Sequence, residues 1–248
     1  MDYKWLIELT KKRRSCRRFR QEPIPDELVD KIIEVARWAP SGANSQPWEF
    51  IILKRDELKE KIVSFFKDLA VLSHKAELTR KAPLRYPALT RPVGRYGYED
   101  APVFIILCGD MRTKQAYPLY AAAEGEQTTF DSSLASAFLY MHLAATTLGL
   151  GAQWVSVIRN WIVQCRVKEL LRIPEELSIY DMMAVGYPAS APRPRMVRDM
   201  KEMTHLDYYD RSKFKTDEEV SNFIADNRKG RTYSGMGIGR SKEDRQPR

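Results

Sequence analysis

Cysteine and histidine are scarce in this 248-residue chain, and the way they are scattered excludes several kinds of chemistry. The three cysteines, Cys16, Cys108 and Cys165, are odd in number and form no CxxC pair, which argues against a disulfide framework or a zinc knuckle. They read as reduced thiols of a cytoplasmic protein. His74, His142 and His205 lie far apart, with neither metal-ligand spacing nor an evident triad partner. No GxGxxG follows a candidate strand, so a Rossmann-type dinucleotide site is not expected. No apolar run approaches the roughly 20 residues of a membrane span. The first residues, MDYKWLIELTKKRR, lack the basic leader and small-residue cleavage site of a secretory signal, so none is expected.

What is abundant is positive charge. Forty-one Lys and Arg against 33 Asp and Glu leave a formal net charge of +8, concentrated at 11–20, 191–201 and 228–248. Nucleic acid is one partner that such a surplus suits, but no RNP-like stretch, finger spacing or heptad accompanies it, and nucleic-acid binding is set aside. Two short segments are denser in arginine than a solvated face requires: RRSCRRF at 13–19 and APRPR at 191–195. Arginine offers planar, permanently charged donors that suit phosphate, and Ser15 between Arg14 and Arg17 adds a neutral hydroxyl. A third segment, APSGANSQPWEF at 39–50, joins an amphipathic helix to an apolar run. Its Ser41, Asn44, Ser45 and Gln46, punctuated by Pro40, Gly42 and Pro47, exceed what a simple turn needs and suit backbone held close to a flat polar ligand.

Periodicity places helices over 3–12, 25–39 (apolar stripe Leu28, Ile32, Val35), 56–72 and 127–148, the last rich in alanine. Strands are expected over 50–53, 103–108, 152–158 and 179–188. Residues 74–100 fit neither period and read as a lid or binding loop. The Gly-rich, charged end beyond about 205 reads as an extension that is disordered unless a partner ties it down. The elements predict a mixed α and β domain around a modest sheet.

The order RRSxRxF, APSGxNxQPWxF, LGLGxxW at 148–154 and VGYPAxxPRPR at 185–195 resembles the flavin-dependent nitroreductase family, over roughly residues 8–200. The resemblance implies an α+β, three-layer α/β/α fold whose central sheet is mixed but mainly antiparallel, in an interlocked homodimer. It implies one FMN-binding domain over 1–205, with 74–100 as lid, and a C-terminal extension over 206–248 that is partly disordered or wraps the dimer. FMN is the implied cofactor, with NADH or NADPH as electron donor and a small molecule such as a nitroaromatic or quinone as acceptor, by a ping-pong mechanism. Arg13, Ser15, Arg17, Arg193 and Arg195 are the implied phosphate ligands, and Arg14, in the same motif, would contribute to the cofactor site through its backbone or stem. Pro40, Ser41, Gly42, Asn44 and Gln46 would meet the isoalloxazine, from the other subunit. Trp154, Val155, Ser156 and Val157 would run past the flavin, with the backbone N–H of Ser156, and alternatively also its hydroxyl, at N5. Asp131 is read as opening the alanine-rich helix, either shaping the pocket or capping. Among Lys81, Arg91 and Arg95 the choice of a residue near the flavin N1/O2 edge stays open. The alternative functions are reductive dehalogenation of an aromatic substrate and flavin binding without reductase turnover.

Overall fold

A computed structural model of the chain describes residues 2–85, 89, 93–120, 126–191 and 197–229. At its centre are β1 (Trp48–Leu53), β2 (Val103–Asp110), β3 (Gly151–Val155) and β4 (Leu177–Gly186), in spatial order β1–β2–β4–β3. All three strand pairs are antiparallel. The one parallel pairing among the described residues is a single bridge, Ser15 to Ala152. The inner strands β2 and β4 are covered on both faces, which is why VFIILC and MMAVG read as continuous apolar runs.

Helices fill a layer on each side. On one face α2 (Asp26–Ala36) and α4 (Glu126–Thr147) pack Ile32, Phe130, Leu134, Phe138 and Met141 onto Ile105, Leu107, Met183 and Val185. On the other, α3 (Asp56–Leu78) and α5 (Trp161–Leu171) pack Ile62, Phe66, Val163 and Val167 onto Phe104, Ile106, Met182 and Ala184. The remaining described helices are α1 (Tyr3–Lys12), whose N-terminal cap Asp2 accepts the Trp5 N–H at 2.9 Å, and α6 (Asp217–Lys229). The architecture is α+β in three layers, as expected.

Several local expectations need correction. The stripe of α2 that enters the core is Val29, Ile32 and Ala36, one position round from the expected one, and Val35 faces outward. The small Ala36 lets α2 approach α4 more closely than a β-branched residue would. Helix α3 runs on to Leu78, so residues 74–78 are helix rather than loop. The far end of the expected lid is also anchored. Tyr96 and Tyr98 stack at 5.1 Å, and Tyr98 meets Phe66 and Phe104 edge-on in the core. The strand expected over 152–158 stops at Val155, and Ser156–Arg159 form one 3-10 turn. That turn delivers the chain to α5, where Asn160 Oδ1 caps the Ile162 N–H at 3.1 Å. Asp131 does not open α4 but lies in its second turn, accepting from Gln127 at 2.9 Å.

Candidate active site

The arginine segment 13–17 is held along the edge of β3. After α1 the chain runs past Ala152, whose carbonyl accepts the Cys16 N–H at 2.8 Å. It then pairs with the exit of β4: Arg20 N–H donates to the Tyr187 carbonyl and Ala189 N–H to the Arg18 carbonyl, both at 2.9 Å. Behind it sits Gly97, where a Cβ would lie 2.1 Å from the Arg17 carbonyl oxygen, so only glycine permits this approach. Thus backbone bonds on two sides fix the segment while its side chains face out. Ser15 and Arg17 are exposed, and Arg13 and Arg14 half-buried. Arg14 and Arg17 have no carboxylate partner among the described residues, whereas Arg20 pairs with Glu22 at 3.2 Å. Arg193 and Arg195 lie outside the described residues.

Where β3 ends, side chains that the sequence reading did not single out hold the backbone. Trp154 is packed at 4.4 Å on Phe138 and stacked at 5.5 Å on His142, and its indole N–H donates to Asp181 Oδ2 at 2.6 Å. Val155 turns its side chain into the α3/α5 core and registers with Met182 of β4. Ser156 is exposed at the first position of the turn. Arg159, at its last position, bonds Asp181 through Nε at 3.0 Å and Nη2 at 2.7 Å, bonds the Tyr180 carbonyl at 2.8 Å, and lies over the Tyr180 ring at 4.1 Å. Asp181 is fully buried, and that burial pushes its carboxyl above the ordinary range while the bonds from Arg159 and Trp154 pull it back. The available signal was a lone aspartate inside the apolar strand IYDMMAVG. Beneath Trp154, both ring nitrogens of buried His142 find no hydrogen-bond partner among the described residues. Burial, and then the nearby Arg13 charge, lower its pKa to about 4, so the imidazole is neutral.

The loop 40–46 is a separate construction on α4. Gly42 N–H donates to Ser133 Oγ at 3.1 Å, Gln46 N–H to Ser41 Oγ at 3.0 Å, and Ser45 Oγ lies 3.4 Å from the Tyr117 hydroxyl. A Cβ on Gly42 would fall 2.3 Å from the Thr129 methyl and 3.1 Å from the Tyr117 ring. Ala43, Asn44 and Gln46 all sit at φ near +50°, a left-handed conformation that costs of order 1–3 kcal/mol at each non-glycine position. Pro40, Asn44 and Gln46 are exposed, Ser41 and Gly42 half-buried, while Pro47 is buried and Trp48 packs on the α2/α4 core, shaping the loop's base.

The structure brings Arg13, Arg14, Ser15 and Arg17 together with Trp154, Val155 and Ser156 along one edge. It does not bring Pro40, Ser41, Gly42, Asn44 and Gln46 to them. The loop enters β1 at Trp48, which registers through Gly109 with Ser178, whereas Ser15 registers through Ala152 with Val185. The arginine segment lies beyond β3, so the two sites are four strand spacings apart, about 19 Å, and seven residues apart along β4, roughly another 20 Å. Of the residues weighed for the flavin edge, Lys81 is exposed, Arg95 is paired with Asp100 and Glu99, and Arg91 lies outside the described residues. Among the described residues no group of three or more His, Cys, Asp or Glu could hold a metal ion, and no helix is long and apolar enough to cross a membrane.

Comparison with known proteins agrees with this fold. The chain is 30% identical over 202 residues, 82% of its length and 86% of the relative's, to a Methanothermobacter thermautotrophicus protein provisionally named NADH dehydrogenase/NAD(P)H nitroreductase. It is 26% identical over 199 residues to iodotyrosine deiodinase 1 of Rattus norvegicus, covering 79% of this chain and 66% of the relative. Among solved structures, a nitroreductase with bound FMN from Bacteroides fragilis superposes with a TM-score of 0.61 at 22% identity, over 84% of this chain and all of that one. The profile of the Nitroreductase family matches residues 10–187, and the chain belongs to that family.

Proposed function

We propose that the protein is an FMN-dependent oxidoreductase that works as a homodimer, drawing hydride from NADH or NADPH and reducing small acceptors such as nitroaromatics or quinones. The observation that carries this reading is the pair Arg14 and Arg17, without carboxylate partners among the described residues, on a backbone-fixed segment beside β3. This donor set suits a dianion, since several charge-assisted bonds offset its partial removal from water. The ring nitrogens of His142, close to Arg13 and without a hydrogen-bond partner among the described residues, are further polar atoms that a bound group or water can satisfy. The redox chemistry, hydride acceptance from a nicotinamide and its return to an acceptor, is supplied by FMN when bound, which accounts for the lack of an acid–base–nucleophile set in the chain. Arg13, Arg14, Ser15, Arg17, Arg193 and Arg195 would hold the phosphate. Trp154 and Val155 would run past the isoalloxazine, and Ser156 would aim its N–H at N5.

Pro40, Ser41, Gly42, Asn44 and Gln46 would come from a second copy, because within one chain they occupy the opposite corner of the sheet. The segment 197–229 supports a dimer as well. Val197, Leu206, Tyr208 and Phe214 are each more than 70% exposed, an apolar surface that a partner would cover. The experiment is to purify the protein, identify the released flavin by mass spectrometry, and follow NADH and NADPH oxidation with a nitroaromatic. FMN and acceptor-dependent oxidation are expected; FAD as the main flavin, or no turnover, would overturn the reading. The likeness to a deiodinase favours one alternative, reductive dehalogenation, and release of iodide from iodotyrosine by the reduced protein would establish it.

A further inference from the structure

We propose that Asp181 is a positioning residue that fixes the break between β3 and the 156–159 turn, and so sets the direction in which the Ser156 N–H points. This rests on the flavin reading above, in which Ser156 serves N5. A carboxylate with no exposed surface, in the middle of a central strand, costs several kcal/mol unless its bonds compensate. Here its partners bracket Ser156 in the chain. Trp154, two residues before, gives its indole N–H at 2.6 Å, and Arg159, three residues after, gives Nη2 at 2.7 Å and Nε at 3.0 Å. One rigid group on β4 therefore holds both ends of the segment 154–159.

The backbone makes the clamp possible. Opposite β2 the register of β4 slips, with Leu107 facing Asp181 and Cys108 facing Ile179, so Tyr180 is the extra residue of a bulge. Bulges re-aim side chains, and this one accompanies an acid set toward Trp154 on the α4 side. Tyr180 completes the seat: its carbonyl accepts Arg159 Nε at 2.8 Å and its ring underlies the guanidinium. In a 3-10 turn, residues three apart lie on the same face, so anchoring Arg159 also fixes the face that Ser156 shows. A strand that continued through 158, as the sequence pattern suggests, would alternate these side chains between faces.

The test compares the flavin-loaded parent with Asp181→Asn, which keeps an acceptor for the Trp154 indole but loses the charge that holds Arg159, and with Arg159→Lys, a surface-accessible change that keeps the charge and loses the fork. Three readouts are taken: amide hydrogen exchange of residues 155–159 in the flavin-free protein, the midpoint potential of the bound flavin, and the hydride-transfer rate against the KM for the nicotinamide. The expected result for Asp181→Asn is exchange at 155–159 faster by roughly tenfold or more, a shifted potential, and hydride transfer slowed by roughly tenfold to a hundredfold at unchanged KM, less than the roughly hundredfold to thousandfold for losing an aimed donor outright because the N–H is loosened and not removed. Arg159→Lys should fall between it and the parent. Unchanged local exchange, potential and rate in folded variants would overturn the proposal. If Asp181→Asn does not fold, Arg159→Lys with parent-like exchange at 155–159 overturns it equally. A parent that binds no FMN would sink the flavin reading instead, and the exchange measurement would still decide whether Asp181 holds the turn.

Discussion

Lowering the pH from 8 to 5 should destabilise the protein through His142. The imidazole is buried between Phe138, at 5.3 Å, and Trp154, at 5.5 Å, with the Arg13 charge nearby. Its pKa falls from 6.5 to about 4, first through burial and then through Arg13. A proton therefore binds the unfolded chain below pH 6.5 but the folded one only near 4. Stability is complete above 6.5 and is lost as the pH falls through that window. The two values lie about 2.5 pH units apart, which at about 1.4 kcal/mol per unit gives about 3–4 kcal/mol in all, of which about 2 kcal/mol is lost by pH 5. For a domain of this size that is a fall of roughly 4–8 °C in Tm. The assay is thermal unfolding of the flavin-free protein and of His142→Leu from pH 8 to 5, at fixed protein concentration. Asp181 pulls the opposite way at lower pH, because its raised pKa favours the folded state as it protonates, but it does so in both proteins and cancels in the difference. The parent should lose the extra few degrees and the variant should not. Parallel curves for the two would refute the reasoning.

Replacing Arg193 and Arg195 together by alanine should weaken FMN binding by several kcal/mol, at about 1.5–3 kcal/mol per charge-assisted bond, as read in a flavin titration; unchanged affinity would make them surface charges. Gly97→Ala puts a methyl 2.1 Å from the Arg17 carbonyl, so the arginine segment must shift, and FMN affinity should fall roughly tenfold or more. Gly42→Ala meets the Thr129 methyl at 2.3 Å, and overpacking of this kind costs about 1–3 kcal/mol, visible as a lower Tm together with reduced flavin retention.

How much of this was legible in the sequence depends on the range of the interaction involved. Inner strands announce themselves because both faces are covered, so 103–108 and 179–186 stand out as apolar runs. Helix starts show as local caps and first-turn acids. The family motifs mark the arginine segment and the 40–46 loop because each is contiguous. The Asp181 network was not legible, because its partners lie 22 and 27 residues away and pairing across strands leaves no trace in local spacing. The end of β3 at Val155 was missed for the same reason: SVI has strand propensity, and the tertiary bonds of Arg159 override it. Residues 74–78 and 96–100 looked structureless because 74–78 simply extend α3 and the tyrosines at 96 and 98 reach a core built by distant elements. The opposite-corner placement of loop and arginines needed the strand order, which no single stretch encodes.

Complementation between two defective chains tests the central claim, a flavin site assembled from two copies, most directly. One chain carries Arg13→Ala with Arg17→Ala, and the other carries Gly42→Leu; each alone should retain little FMN. Unfolded and refolded together in equal amounts, they form mixed dimers in half of the assemblies, and each mixed dimer has one site with both defects and one with neither. Bound FMN should return to about a quarter of the parent's content, with NAD(P)H oxidation in proportion. A site formed within a single chain would always carry one defect, so a mixture that binds no more FMN than its components would contradict the account.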